Sequence, residues 1–257
     1  MLKVAAASFE EVLNRLDGRK KRMPAFVHSV LSRTIKGQVF VDSGSGQSFL
    51  IGTDAGIYFV AGNTRNHPFN HFIFEFGRQR KHNDGRFTLF SSSSSWDLVI
   101  KEQQSISLKQ MRRCSFIFKD KDVIAEKNLP NQYYMKKIDE DLVKNSSEFN
   151  EGYYQEYWGS VFNFIENGVG YAILHKEKIV CECTSIFSSD RFAEIDIATH
   201  KDYRGKGLAS HTAKAFLKDC LMNGIMPRWD CDVANDTSVH LAKKLGFSDR
   251  VEHSIFY

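Results

Sequence analysis

Apolar positions change period several times along the chain, and each change marks an element. Residues 192–198 alternate, with Ile195 and Ile197 on one side and Glu194 and Asp196 on the other, the pattern of a half-buried strand. A polar turn covers 200–203. Arg204-Gly205-Lys206-Gly207-Leu208-Ala209 then runs into a helical period. Its apolar stripe is Ala209, Ala213, Phe216, Leu217, Cys220 and Leu221, with Lys214, Lys218 and Asp219 on the wet side. Asn223-Gly224 is a good stop for that helix.

The same reading gives the other elements. Ser8-Phe9-Glu10-Glu11 predicts a capping box opening a short helix to Leu16, and Pro24 starts a second. Arg19, Lys20, Lys21 and Arg22 between them read as a solvated turn. Strands are expected at 38–41, 48–51 and 57–60, a helix at 69–80 after Pro68, and a strand at 86–90. The five serines 91–95 read as a loop ending in a helix cap before Trp96. A strand at 111–118 leads to the polar, proline-ended segment 119–130, the best linker candidate. The second half repeats the order. A strand at 133–138 precedes a short helix capped by Asp139 and an aromatic-rich helix at 151–165. Strands follow at 170–175, 179–186 and 192–198, then the helix at 205–223, a strand at 228–233, a helix at 238–245 and a closing strand at 251–257. Two similar α/β lobes are therefore expected, 1–125 and 126–257, each with a mixed sheet.

Composition narrows the class. The chain has 257 residues, 42% hydrophobic and 26% charged, enough to bury a large core. A net charge of +4 without a clustered basic stripe does not suggest nucleic acid. No apolar run approaches a membrane span, and the opening seven residues are too short for a signal core. The cysteines are Cys114, Cys181, Cys183, Cys220 and Cys231, an odd number without a C-x-x-C pair. That predicts a reduced, cytoplasmic chain with no metal site; Cys181 and Cys183 share one strand face as packing residues.

Chemistry concentrates at 204–210. A Gly-rich turn between a strand and a helix start presents backbone N–H groups at the positive end of the helix dipole, and Arg204 and Lys206 add charge. It either binds a phosphate or merely turns the chain. It is neither a Walker loop nor the dinucleotide G-x-G-x-x-G. Two carboxylate rows stand nearby, Glu194 with Asp196 and Asp230 with Asp232. Each is a source of a general base, a holder for a cationic substrate, or solvated polarity.

The pattern Arg204-x-x-Gly207-x-Ala209, with Asn235-Asp-Thr-Ser238 and Leu241-Ala-Lys-Lys-Leu-Gly246-Phe247 after it, resembles the GNAT superfamily of N-acetyltransferases. The close match covers roughly 165–257. Within that superfamily the chain resembles the two-lobed bacterial group that includes the zwittermicin-resistance acetyltransferase. The resemblance implies a GNAT fold in the second lobe and a degenerate, GNAT-like first lobe. In that first lobe Ala61-Gly62-Asn63-Thr64-Arg65-Asn66-His67-Pro68 replaces the phosphate loop, so no CoA is expected there. It implies acetyl transfer from acetyl-CoA to a small primary amine by direct attack in a ternary complex. The alternative is a non-catalytic acyl-CoA-binding sensor. By position, Ile197, Ala198 and Thr199 would pair with the pantetheine arm. Gly205, Lys206, Gly207, Leu208, Ala209 and Ser210 would hold the pyrophosphate with Arg204, and Asn235 would contact the pantetheine side. Asp230 and Glu194 are the base candidates. The family's tyrosine acid is replaced by Ala242, with Tyr257 and His240 as substitutes to be weighed. His200 and His211 near the loop read as hydrogen-bonded or solvated. Neither the acceptor nor the oligomeric state follows from the sequence.

Overall fold

The computed structural model describes residues 1–16, 23–44, 46–103, 105–120, 122 and 128–257. The basic cluster 19–22, half of the segment 119–130 and the expected division at 125/126 lie outside these. The chain forms two compact units, Met1–Cys114 with Glu252–Tyr257, and Ser115–Val251.

The first unit contains β1 (Leu2–Lys3), α1 (Phe9–Arg15), α2 (Ala25–Leu31), β2 (Gly37–Val41), β3 (Phe49–Thr53), β4 (Ile57–Ala61), α3 (His67–His82), β5 (Thr88–Ser91) and α4 (Ser94–Lys101). β6 (Gln110–Phe118) leads out of it. The second unit contains β7 (Tyr134–Lys137), α5 (Glu140–Asn145), α6 (Glu151–Trp158), α7 (Val161–Asn167), β8 (Gly170–His175), β9 (Lys178–Ser188), β10 (Phe192–Thr199), α8 (Leu208–Met222), β11 (Met226–Asp232) and α9 (Asp236–Lys244). β12 (Phe247–Phe256) then returns to the first unit.

Strand order is β1-β2-β3-β4-β5-β12 in the first unit and β6-β11-β10-β9-β8-β7 in the second. Both units follow one plan. Three antiparallel strands (β2-β3-β4; β8-β9-β10) lead through a helix (α3; α8) to a strand parallel to the third (β5; β11). This is the repeated mixed α/β architecture that the element order predicts. The strand beyond β5 is β12, and the strand beyond β11 is β6, so each sheet is completed from the other half of the sequence.

Burial explains the first unit. β3 and β4 are buried along their whole length, as continuous apolar strands covered on both faces must be. Phe69, Ile73 and Phe74 of α3 and Trp96 and Ile100 of α4 pack with Leu50, Tyr58, Val60 and Leu89. α2 is buried entirely, and Phe26 meets Phe90 edge to face at 5.2 Å. In the second unit Leu208, Ala213, Phe216, Leu217 and Cys220 of α8 are buried, while α6 supplies Tyr154 and Trp158. The Tyr154 hydroxyl lies 3.1 Å from Thr184 Oγ1, and Trp158 Nε1 donates to the Ser185 carbonyl at 3.0 Å.

Several local expectations hold. Ser93 of the serine tract and Asp139 cap α4 and α5, and α3 begins around Pro68, where Asn66 supplies a cap that was not foreseen. Gly224 adopts a left-handed conformation just past α8. Three differ. Ser8 makes no side-chain cap, because a 3-10 turn over Ala6–Ser8 runs straight into α1 and leaves Ser8 outside the extended conformation a cap requires. The helix expected at 151–165 is broken at Gly159, whose φ of 77° ends α6, and Ser160 then caps α7. Asp219 is buried rather than wet. It accepts from the Tyr171 hydroxyl at 2.9 Å and from Asn223 Nδ2 at 2.7 Å, which satisfies the carboxylate that the helical period alone would expose.

The sharing of strands has a testable consequence. A fragment of residues 126–257 lacks the Phe116 and Phe118 side chains of β6, and Phe118 packs against Phe247 at 5.3 Å. It also leaves β11 as an unpaired edge. We expect no cooperative thermal transition by circular dichroism; a sharp melt at the full-length midpoint would contradict the requirement for β6.

Candidate functional site

In the second unit β10 and β11 pair in parallel over only three positions, Phe192↔Met226, Ala193↔Pro227 and Glu194↔Arg228. Both strands continue, to Thr199 and Asp232. From Asp196 onward β10 loses its alternation, and Asp196, Ile197, Ala198 and Thr199 are all half-exposed in mid-sheet. Ile197 therefore leaves the buried row it was expected to share with Ile195. The first unit differs here. β4 and β5 pair over four positions, from Ile57↔Thr88 to Val60↔Ser91, and the Ser92 N–H continues to the Val60 carbonyl at 3.2 Å. The indole of Trp96 donates to the Gly62 carbonyl in the loop that follows β4.

The parted end of β10 leads through a 3-10 turn (Lys201–Tyr203) to the start of α8. His200 caps that turn, its Nδ1 accepting from the Asp202 N–H at 3.4 Å, and its Nε2 lies 3.1 Å from Lys178 Nζ. Tyr203 holds the turn down through His175 Nδ1 at 2.9 Å. Gly205 and Gly207 have φ of 75° and 78°, and a Cβ at either would meet nothing within 4 Å. The glycines thus serve the left-handed backbone, and the space above them is open. Gly207 caps α8 without a side chain, so the first turn of this long helix presents its N–H groups to that space. Arg204 Nε donates to the Thr199 carbonyl at 3.2 Å, and Lys206 Nζ stands 4.8 Å from the Tyr203 ring centre. Lys206 and Ser210 flank the same turn, with the Ser210 N–H bonded to the Gly207 carbonyl. Leu208 is buried and anchors the helix, while Ala209 is half-buried. Asn235 is exposed at the cap of α9, where its Oδ1 accepts from the Ser238 N–H at 3.0 Å.

The carboxylate rows fall on neighbouring strands. On β11 Arg228, Asp230 and Asp232 are half-exposed, while Trp229 and Cys231 are buried. Glu194 is level with Arg228, whose guanidinium stacks 4.2 Å from the Phe192 ring centre. Burial lowers the Arg228 pKa, and the Glu194 charge opposes that shift. Counting on from this pair, Asp196 and Asp230 are the next residues on that face. Asp232 Oδ1 accepts from the Ala234 N–H at 2.7 Å and shapes the turn into α9. Asp196 Oδ2 accepts from the Tyr153 hydroxyl at 3.0 Å. Burial, with the Asp196 charge, pushes the Tyr153 pKa well up. Ala242 is fully buried; His240 is exposed on α9; Tyr257 belongs to the first unit, where its backbone pairs with Lys109.

Sequence reasoning missed a further group. Glu182, between Cys181 and Cys183, is only 3% exposed. Ser146 Oγ donates to its Oε2 at 2.8 Å. Burial raises its pKa to about 7 against the lowering by Ser146, with the Glu148 charge adding to the rise. The available signal was an acid between two cysteines, the one carboxylate of β9. On the opposite face Cys181 Sγ lies 3.2 Å from Thr199 Oγ1 and 3.0 Å from Thr212 Oγ1, the packing role expected of these cysteines.

Comparison with known proteins identifies the family. The family model "GNAT acetyltransferase" covers residues 19–256. The chain belongs to the GNAT acetyltransferases. It is 45% identical over 238 residues to the "Uncharacterized N-acetyltransferase YdfB" of Bacillus subtilis (strain 168), covering 92% of this chain and 91% of that one. The crystal structure of a GCN5-related N-acetyltransferase-like protein from Streptococcus suis 89/1591 superposes with a TM-score of 0.71 at 26% identity, covering 98% of this chain and 100% of that one. A tandem GNAT protein from the clavulanic acid biosynthesis pathway shares the fold, with a TM-score of 0.63 at 12% identity, over 99% and 96% of the two chains. The protein is thus an acyltransferase of the two-lobed GNAT architecture. Among the described residues no group of three or more His, Cys, Asp or Glu could hold a metal ion, and no helix is long and apolar enough to cross a membrane.

Glu182 gives a stability prediction. Its folded pKa of about 7 exceeds the ordinary 4.5, so its stabilising protonated state is fully present below 4.5 and lost as pH rises through about 7. The full difference is about 3 kcal/mol. Thermal melts from pH 4 to 8.5 should show Glu182→Gln gaining on the wild type as pH rises, with the gain levelling off above pH 7. Parallel curves would mean that the Glu182 carboxyl titrates in the folded protein as it does in the unfolded chain.

Proposed function

We propose that the protein transfers an acetyl group from acetyl-CoA to a primary amine on a small molecule. The observation that carries this reading is the parting of β10 from β11 beside the glycine turn at the start of α8. Beyond Glu194 the edge of β10 lacks a strand partner on the β11 side, and an extended, amide-bearing pantetheine arm is the right chemistry to fill it. Ile197, Ala198 and Thr199 would bond that arm, with Asn235 on its other side. The pyrophosphate would lie over Gly205, Lys206, Gly207, Leu208, Ala209 and Ser210, at the positive end of α8 and near Arg204. The pairing of β4 with β5 along its length supports assigning no such role to the first unit.

The acceptor amine would lie on the face carrying Glu194, Asp196 and Asp230. Carboxylates there attract an ammonium group, and an amine must lose its proton before it can attack a thioester. Asp230 is the better placed of the two base candidates, since Glu194 stands beside Arg228. A CoA thiolate, with a pKa near that of cysteine, leaves without an acid, which suits the buried methyl of Ala242.

Two outcomes are expected. In calorimetric titration the wild type binds acetyl-CoA at micromolar Kd and Gly207→Glu does not, because a carboxylate would stand over the turn. Absence of binding to the wild type would remove the reading. The double variant Asp230→Asn/Glu194→Gln should keep acetyl-CoA binding and lose about 100-fold in thiol release with a reactive amine held below its KM, whether the two carboxylates hold the ammonium group or deprotonate it. Unchanged turnover would remove both from the base assignment.

A further inference from the structure

Glu182 is a buried carboxylate for which the proposed acetyl transfer above has no use. It is paired in register with Ala198 of β10 on one side and Ala172 of β8 on the other. Ala198 lies on the half-exposed stretch of β10, so Glu182 adjoins the opened end of the strand.

The carboxylate is also oriented. Ser146 Oγ accepts the N–H groups of Glu148 and Phe149, at 3.2 and 2.8 Å. With its acceptor capacity used in this way, its one proton goes to Glu182 Oε2. Among the described residues Oε1 has no hydrogen-bond partner, and it is not among the sealed, unpaired polar atoms. The ionisable groups that face Glu182 are Glu148 from the α5–α6 loop, Tyr154 of α6, Asp196 two positions along the same face of β10, and its own neighbour Cys181. All are acidic or neutral. A buried carboxylate without a cation is costly as a structural device, and an arriving ammonium group would supply the missing charge.

We propose that Glu182, in place of Asp230 or Glu194, is the proton acceptor for the substrate amine, held by Ser146 at the side of the opened strand, while those two carboxylates hold the ammonium group. This rests on the acetyl-CoA reading above and extends it. The ammonium R–NH3+ passes one proton to the Glu182 carboxylate, directly or through one water, giving R–NH2 and a neutral carboxyl. The amine lone pair forms the N–C bond to the thioester carbonyl, the C–S bond breaks, and the sulfur leaves as thiolate with that electron pair. The remaining extra proton on nitrogen passes to the thiolate, giving the amide and CoA–SH. Glu182 then releases its proton to water. The carboxylate's raised pKa, about 7, matches a base that works near neutrality.

The test uses the full chain. Thiol release from acetyl-CoA is followed with tyramine, spermidine and methylamine from pH 5.5 to 9, alongside calorimetric binding of acetyl-CoA. In the wild type kcat/KM should rise through about pH 7. Glu182→Gln should bind acetyl-CoA as before, lose about 100-fold or more in kcat, and lose the limb near pH 7; Glu182→Asp should recover part of both. A Glu182→Gln profile parallel to the wild type would overturn the proposal, whatever its effect on melting temperature. A second arm needs no acceptor: carbon NMR of side-chain-labelled glutamate, with the Glu182 signal assigned by its loss in Glu182→Gln. Titration near neutrality, displaced by acetyl-CoA, is expected. Titration in the ordinary carboxylate range, unmoved by acetyl-CoA, would overturn the proposal. Failure of the wild type to bind acetyl-CoA would instead count against the donor assignment, which the calorimetry reads separately.

Discussion

Parallel strands that share only three pairs and then diverge pose a backbone problem. Peptide groups in mid-sheet need partners, and past Glu194 the edge of β10 facing β11 has lost its strand. Water satisfies such an edge when nothing else does, which is why Asp196 to Thr199 stay half-exposed in a strand otherwise central to the sheet. The remainder of the unit keeps the opening from closing. α8 packs by Phe216, Leu217 and Cys220 under β8 to β11, and Leu208 pins its first turn to Tyr133, Ile173 and Val180. Arg228, stacked on Phe192 beside Glu194, puts a bulky cation at the last shared pair.

The first unit shows what the same plan does without that constraint. Its fourth core strand, β5, pairs with β4 along its whole length, and β4 is buried from end to end. The loop after β4 has no glycine pair. Instead Gly62 receives the Trp96 indole at its carbonyl, and Asn66 caps α3 ahead of Pro68. A helix beginning with a side-chain cap and a proline has already used or lost the donors that α8 keeps free of side chains. One topology thus yields a sheet whose parallel strands stay paired and one whose parallel strands part, and the difference lies in a few residues after the third strand.

The sequence displayed the repeat well because periodicity is local. Strand alternation, the caps at Ser93 and Asp139, and the Asn223-Gly224 stop each depend on a few adjacent residues, and each appears as expected. The glycine turn was legible for the same reason. Features that depend on distant partners were not. Gly159 breaks a helix whose aromatic pattern runs on past it, since Tyr154 stacks on Phe164 across the break. Asp219 is drawn inward by Tyr171, a residue of another strand. The exchange of β6 and β12 leaves no periodic trace at all, because a strand's own sequence does not say which neighbour it joins. Of the acidic rows, composition could not tell which carboxylate meets a cation and which meets a tyrosine.

Glu182 joins these threads, since its character comes entirely from context. Alternation along β9 would make it a solvent-facing position, like Lys178 at the strand's start. α6 and the turn before it bury that face instead, bringing Tyr154 to Thr184 and Ser146 to Glu182. The opposite face carries Cys181 and Cys183 against α8, where burial keeps both thiols protonated. The sheet is therefore chemically two-sided at the level of Thr199 and Ala198: neutral and packed toward α8, acidic and hydrogen-bonded toward α6. The Glu182 and Asp196 carboxylates both lie on the second side, so in the proposed reaction an amine approaching a thioester held along β10 would meet them from there.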